Sequence, residues 1–149
     1  MKLSILDQSV AIADKCQDQV INDTLNLSTI AEELGYSRFW ISEHHNHPTI
    51  IGTAPEILMA AIAAKTNKIR IGSAGIMLPH YSSFKVAEQF RVLNSLAPNR
   101  IDLGLGRAPG SDGRTALALN SNNREFSENF PSHVRDLIAW VTNLSLIHI

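Results

Sequence analysis

The chain has 149 residues, of which 44% are hydrophobic and 18% are charged, and its formal net charge is -1. This composition predicts one ordinary globular domain and excludes a disordered chain. Acidic and basic residues are mixed without a basic stripe, which argues against nucleic acid or an anionic membrane as a partner.

The single cysteine, Cys16, excludes an intrachain disulfide framework, and we interpret it as a bystander thiol in a reducing compartment. No apolar run approaches the ~20 residues that a membrane span requires. Met1 and Lys2 lead directly into a predicted strand, without the apolar core of a signal peptide. We therefore expect a cytoplasmic location.

The first part of the chain alternates short apolar runs with helical patterns. Residues 3–6 form the first strand candidate. A helical pattern begins near Val20, and its predicted apolar face consists of Leu27, Ile30, Ala31 and Leu34. Gly35 is predicted to end this helix as its C-terminal cap. The second strand is predicted at residues 38–42.

The same alternation continues through the next two units. Thr53 with Glu56 three residues later has the pattern of a capping box, which predicts that a well-covered helix follows Thr53. The third strand is predicted at residues 69–74. Ser82 or Ser83 is expected to cap a third helix, whose apolar stripe consists of Val86, Phe90, Leu93 and Ala97. The fourth strand is predicted at residues 101–105.

The predicted strands begin near residues 3, 38, 69 and 101, so each strand-helix unit takes 31 to 35 residues. This spacing is typical of a (β/α)8 barrel of ~250 residues, and the alternation predicts a parallel sheet. Two interpretations remain: a small complete α/β domain, or the front half of a barrel. We favour the second, with residues 1–143 covering the first four units, because the helices are apolar enough to need a large sheet.

The end of the chain departs from this repeat. A glycine-rich loop and a polar run over residues 120–129 follow the fourth strand. A final amphipathic helix is predicted, with one face made of Val134, Leu137, Ile138 and Val141. Residues 144–149 do not begin a fifth unit, and we interpret them as a tail that does not belong to the natural protein.

A cluster of one glutamate and three histidines follows the second strand, namely Glu43, His44, His45 and His47. It permits three interpretations: a metal site, a set of structural loop histidines, or a proton-handling histidine at the mouth of a barrel. Adjacent histidines on a strand point to opposite faces, and no further ligand cluster is visible, so a metal site is disfavoured. We favour the proton-handling histidine, because the active sites of barrels gather past strand ends.

Two later strands also end in distinctive residues. Residues 72–75, Gly-Ser-Ala-Gly, predict either tight packing or close approach of the backbone to a flat ligand. Arg107 follows the fourth strand and could bind a phosphate or carboxylate, or form an ordinary salt bridge at the rim. Gly104 and Gly106 do not complete a dinucleotide fingerprint, because no third glycine and no helix follow at the required spacing.

Taken in order, the segments WISEHHN, IRIGSAGIMLPH, KVAEQFRVL and RIDLGLGRAPG resemble the bacterial luciferase-like flavin monooxygenases. The resemblance implies a (β/α)8 TIM barrel that binds FMN at its C-terminal mouth. It implies that His44 is the catalytic histidine and that a non-proline cis peptide lies beneath the flavin ring at Ala74-Gly75. It also implies that Arg107 contacts the flavin phosphate. The expected cofactor-binding residues are therefore Ala74, Gly75, Arg107 and Glu43.

The resemblance further implies the activity and the partners. The enzyme would take FMN reduced by a separate flavin reductase, insert one atom of O2 into a small organic substrate and release the other as water. A homodimer is usual in such families. The alternatives are an oxidoreductase that transfers hydride with FMN or a deazaflavin, and a flavin-binding protein without turnover. Because the later strands are absent, we expect these 149 residues alone neither to close a barrel nor to bind FMN tightly.

Overall fold

The computed structural model describes residues 1–143 and contains a four-stranded parallel sheet with helices packed against one face. The strands are β1 (Ser4–Asp7), β2 (Arg38–Ile41), β3 (Arg70–Met77) and β4 (Ile101–Gly106). They lie in chain order, and each pairs in parallel with its neighbours. This confirms the predicted α/β architecture, in which four successive strand-helix units form an open part of a barrel.

The helices within residues 1–143 are α1 (Gln17–Glu33), α2 (Pro55–Lys65), α3 (Ser83–Leu96), α4 (Gly113–Leu119), α5 (Asn123–Glu128) and α6 (Phe130–Asn143). A 3-10 turn, Leu78–His80, joins β3 to α3. The short helices α4 and α5 occupy the glycine-rich loop and the polar run, where no helix was predicted. No helix in this part of the chain is both long and apolar enough to cross a membrane. Residues 144–149, interpreted above as a foreign tail, lie outside the described residues.

The hydrophobic core lies between the sheet and helices α2 and α3. Phe39 and Ile41 of β2 are completely buried, as are Met59 and Ile62 of α2. The predicted α3 stripe is confirmed, because all four of its residues are buried. Ser82 caps α3, where its hydroxyl accepts a hydrogen bond from the backbone N–H of Lys85.

The predicted apolar face of α1 is partly wrong, because Ala31 is buried and Leu27 packs on the core but the other two residues do not. The helix buries Val20, Thr24, Ser28 and Ala31, whereas Ile30 and Leu34 of the predicted stripe are 48% and 71% exposed. The reason is a polar contact with the end of β1: the hydroxyl of Thr24 donates to Asp7 Oδ2 at 2.5 Å and lies 2.8 Å from the hydroxyl of Ser9. The buried face of α1 therefore includes polar side chains beside the strand end, and Ile30 and Leu34 lie at its exposed margin.

Helix boundaries were predicted with mixed success. Gly35 ends α1 with a φ of +78°, as predicted. The capping box at Thr53 is wrong, because Pro55 occupies the first helical position and Ala54 becomes the cap without a side-chain hydrogen bond. The predicted cover of α2 is incomplete, since Ile57 is 67% exposed.

The predicted face of α6 is also partly wrong. Leu137 is buried, but Ile138 and Val141 are exposed. Val134 and Leu137 pack on the core as predicted, together with Phe130 and Trp140. The ring of Trp140 lies edge-on against Phe84 at 5.1 Å, so an aromatic contact with α3 sets the rotation of this helix.

Candidate active site

The concave face of the sheet, opposite the core, forms a shallow hollow of about 470 Å³ near the C-terminal ends of the strands. Its lining consists of Leu6, Trp40, Ser73, Ala74, Gly75, Met77, Gly104, Leu105 and Gly106. Residues along a strand alternate between its two faces, so the burial of Phe39 and Ile41 in the core places Trp40 in the hollow. Small residues from β3 and β4 make up most of the remaining wall.

The hollow depends on positions that have no room for a side chain. A Cβ atom at Gly104 would lie 2.2 Å from the backbone oxygen of Ser73. A Cβ at Gly75 would lie 2.8 Å from the carbonyl carbon of Leu105, and one at Gly72 would lie 2.3 Å from the ring of Trp40. Glycine at these positions therefore lets β3 and β4 approach closely and lets the Trp40 ring pack against the backbone at Gly72.

The end of β3 has an irregular backbone. The peptide bond between Ala74 and Gly75 is cis, as the resemblance implied. The pairing of β3 with β4 shifts register between Ser73 and Ile76. Across this irregularity, the hydroxyl of Ser73 donates to the backbone oxygen of Gly104 at 2.9 Å and accepts from its N–H at 3.1 Å. The methyl group of Ala74 is exposed at the hollow.

Four histidines lie at the C-terminal rim of the sheet, and both His44 and His80 have a buried Nδ1 without a partner among the described residues. His45 contacts Glu43, His47 accepts from the backbone N–H of Thr49, and His80 donates to the backbone oxygen of Pro109. His44 is half-buried, and within the described chain its buried Nδ1 has no hydrogen-bond partner. Its imidazole is therefore not held by a protein hydrogen bond at that nitrogen.

Glu43 lies behind the rim rather than in the hollow. Its side chain has no exposed surface, and its carboxylate accepts hydrogen bonds from the backbone N–H of Met77 at 2.8 Å and from the hydroxyl of Tyr81 at 2.7 Å. The ring of His45 contacts the same carboxylate at 2.6 Å. Burial, together with the charge of Glu43, raises the pKa of Tyr81 far above its ordinary value, so this phenol is a neutral donor. Glu43 was predicted to bind the cofactor, but its buried side chain offers no exposed atom for a direct contact.

Arg107 extends from the end of β4 into a second depression. Its Nε donates to the backbone oxygen of Ser127 in α5 at 3.0 Å, and no partner of its terminal nitrogens is found among residues 1–143. This cleft has a volume of about 390 Å³, and its lining also includes His80, Asn123 and Arg124. Glu128 also lines the cleft and accepts a hydrogen bond from Arg124 Nε at 3.2 Å, so that guanidinium is paired. Arg107 is the cation of this cleft that is suited to binding an anion.

The structure brings some of the predicted site residues together and separates others. Ala74 and Gly75 line the hollow, whereas Arg107 lines the neighbouring cleft and His44 lines neither. Trp40 and Arg124 were missed. Alternation along the second strand could have identified Trp40, but nothing in the sequence indicated Arg124. In the described part of the chain, no group of three or more His, Cys, Asp or Glu residues is placed to hold a metal ion.

Comparison with known proteins identifies relatives of this chain. A family model described as luciferase-like monooxygenase matches residues 1–130. The N-acetyl-S-alkylcysteine monooxygenase of Bacillus subtilis (strain 168) is 46% identical over 141 residues, which make up 95% of this chain and 42% of that protein.

Solved structures show the same similarity. The crystal structure of apo-MsnO8 matches with a TM-score of 0.92 at 38% identity, over 99% of this chain and 45% of that one. The FMN complex of the oxygenating constituent of 3,6-diketocamphane monooxygenase from Pseudomonas putida has the same fold, with a TM-score of 0.76 at 22% identity. That match covers 93% of this chain and 37% of the other. The chain thus spans less than half the length of these relatives. Because the family model matches most of its residues, the chain belongs to the luciferase-like monooxygenase family.

Proposed function

We propose that the protein containing this chain is a flavin-dependent monooxygenase, which uses reduced FMN and O2 to oxygenate a small organic substrate. The observation that supports this best is the hollow on the concave face. Its volume of about 470 Å³ lies within the range of small-molecule sites. Most of the residues that β3 and β4 contribute to it are glycine, alanine or serine, so a planar ring could approach the backbone at Ala74 and Gly75. Trp40 and Met77 supply apolar and polarisable surface beside it.

In this proposal the residues of the chain bind and orient the cofactor. Reduced flavin, when bound, supplies the activation of oxygen, which no amino-acid side chain can provide. The small residues of the hollow position the ring, and Trp40 excludes water from one side. His44 handles a proton through the accessible side of its half-buried ring, since its Nδ1 is buried.

We propose that Arg107 holds the phosphate of FMN. Its terminal nitrogens have no partner among the described residues, whereas Arg124 in the same cleft is paired with Glu128. A guanidinium group can donate two parallel hydrogen bonds to phosphate, which gives orientation as well as affinity. The ring and the phosphate would then lie on neighbouring parts of one rim.

The test uses the natural protein that contains this chain, supplied with reduced FMN. Oxygen uptake and product formation are measured with an aliphatic aldehyde and with an N-acetyl-S-alkylcysteine, the substrate class named for the Bacillus relative. His44→Ala is expected to lower turnover by about 10²-fold or more while changing the Kd for FMN by less than about threefold, because a proton-transfer group acts mainly in the transition state. His47→Ala, at an exposed neighbouring histidine, is the matched control. Equal turnover in the two variants would refute the role of His44.

The same assay distinguishes the alternatives. Substrate-dependent reduction of a deazaflavin without oxygen uptake would indicate hydride transfer, and flavin binding without any turnover would indicate an accessory protein.

A separate flavin reductase as electron donor and a homodimeric assembly also belong to this proposal. A second copy could cover the apolar groove between α2 and α3, where Ile57, Val92 and Leu96 are 67%, 60% and 59% exposed. Light scattering on the native protein measures its mass.

A further inference from the structure

We propose that Glu43 is a positioning residue, whose buried carboxylate fixes the ends of β2 and β3 so that His44 and the Ala74-Gly75 segment keep one relative geometry. The inference rests on the proposed function, because it concerns how two parts of that site are held together. It replaces the predicted role of Glu43 as a direct cofactor contact.

Three chain segments meet at this single carboxylate. Glu43 follows β2, Met77 is the last residue of β3, and Tyr81 follows the 3-10 turn. One oxygen accepts the N–H of Met77, and the other accepts the hydroxyl of Tyr81 and contacts His45 Nε2. An ionised carboxylate only accepts hydrogen bonds, so His45 Nε2 is the donor wherever Glu43 is ionised. Each contact is 2.8 Å or shorter.

The contact with Met77 connects this cluster to the hollow. Met77 lies two residues after Gly75 and itself lines the hollow, so its N–H bond to Glu43 fixes the strand end beside Ala74-Gly75. The backbone N–H of His45 also donates to the oxygen of Gly110 at 2.9 Å, which ties the loop after β4 to the same point.

The position of His44 follows from its two neighbours. Because Glu43 and His45 are both bound within this cluster, the backbone of His44 is held on both sides. Adjacent side chains in an extended segment point to opposite faces, so a Glu43 side chain buried in the protein directs His44 away from the cluster. Among the described residues, Glu43 has no Lys or Arg partner within salt-bridge distance. Its carboxylate is therefore held by positioned donors rather than by a mobile surface cation.

The test is a double-mutant cycle in the natural protein that contains this chain. Glu43→Gln keeps the size of the side chain and one acceptor for Met77, but it places an NH2 group where Tyr81 and His45 donate. We expect it to lower turnover with reduced FMN and O2 at least about tenfold, because small misplacements of reacting groups cost up to about 10²-fold. In a protein that already carries His44→Ala, adding Glu43→Gln should lower turnover less than about twofold, because the imidazole that Glu43 positions is already absent. Glu33→Gln, at an exposed glutamate of α1, is the control.

Equal losses from Glu43→Gln in both backgrounds, or no loss at all, would overturn the inference. If the unsubstituted protein takes up no oxygen, the proposed function fails instead, and hydrogen exchange then decides the role of Glu43. Glu43→Ala removes the acceptor for Met77 entirely, so exchange of the Met77 amide should accelerate at least about tenfold, with Glu33→Ala as control. A Met77 amide that stays protected in Glu43→Ala would end the proposal. If this variant does not fold, the exchange is measured in Glu43→Leu against Glu33→Leu. Leucine keeps most of the side-chain volume but has no acceptor for the Met77 N–H, so unchanged protection has the same meaning.

Discussion

The replacement of Gly104 by alanine is the sharpest test of how the hollow is built. The added Cβ atom would lie 2.2 Å from the backbone oxygen of Ser73, more than 1 Å closer than the 3.4 Å at which ordinary contact begins. The neighbour is backbone, so no side chain can rotate away. The hydroxyl of Ser73 also bonds both the N–H and the oxygen of Gly104, so strand separation would break these hydrogen bonds too. Overpacking costs about 1–3 kcal/mol, and we expect a destabilisation at the upper end, about 3 kcal/mol.

The matched control is Gly113→Ala, the same chemical change at the first residue of α4. A Cβ at Gly113 meets nothing within 4 Å, and alanine favours a helix over glycine by up to about 1 kcal/mol. Urea unfolding of the natural protein measures both free energies of unfolding, and FMN titration shows whether the hollow is altered. If Gly104→Ala unfolds at the same urea concentration as Gly113→Ala, the argument that β3 and β4 leave no room for a side chain at Gly104 is refuted.

Two further predictions concern charged groups. Arg107→Ala should weaken the binding of FMN about 10- to 100-fold. It should leave the binding of riboflavin unchanged, because riboflavin lacks the phosphate. Arg135→Ala, at an exposed arginine of α6, is the control. Equal losses for both ligands would exclude a phosphate contact. Burial raises the pKa of Glu32, but hydrogen bonds from the backbone N–H groups of residues 67–69 outweigh it, so the pKa lies below its ordinary value of 4.5. Glu32→Gln should therefore cost about 1 kcal/mol of stability at pH 7, and its difference from the unsubstituted protein in urea unfolding should shrink as the pH falls below 4.5. A difference that is constant with pH would contradict this assignment.

The order of strands and helices could be predicted from the sequence because each unit carries its own local signals. The α3 stripe repeats at helical spacing and is buried as predicted, and Gly35 adopts the positive φ expected of a helix cap. The rotation of α1 could be predicted only in part from hydrophobicity: Ala31 is buried as predicted, but the buried face also includes Thr24, which bonds to Asp7. That bond joins residues 17 positions apart, and no periodicity within the helix indicates it.

The site was predictable in part for a similar reason. The cluster from Glu43 to His47 was recognised from its place after a strand, and the resemblance implied the Ala74-Gly75 cis peptide that the structure contains. The different environments of Glu43 and His44 were not predictable. They depend on Met77 and Tyr81, more than 30 residues away along the chain, which approach Glu43 only when β2 and β3 pair.

The concave face of the sheet also explains why the candidate site lies at the C-terminal ends of the strands. Nearer the strand starts, this face carries Arg38, Arg70 and Asp102, where Asp102 accepts from Arg38 Nε at 3.0 Å and from Arg70 Nε at 2.9 Å. The hydrogen bond from Arg70 lowers the pKa of Asp102, so these charges remain paired at neutral pH. Ionic side chains thus fill one end of the concave face, while glycine and alanine leave the other end open. A planar ligand finds room only at the open end, beside the segments that carry His44 and Arg107.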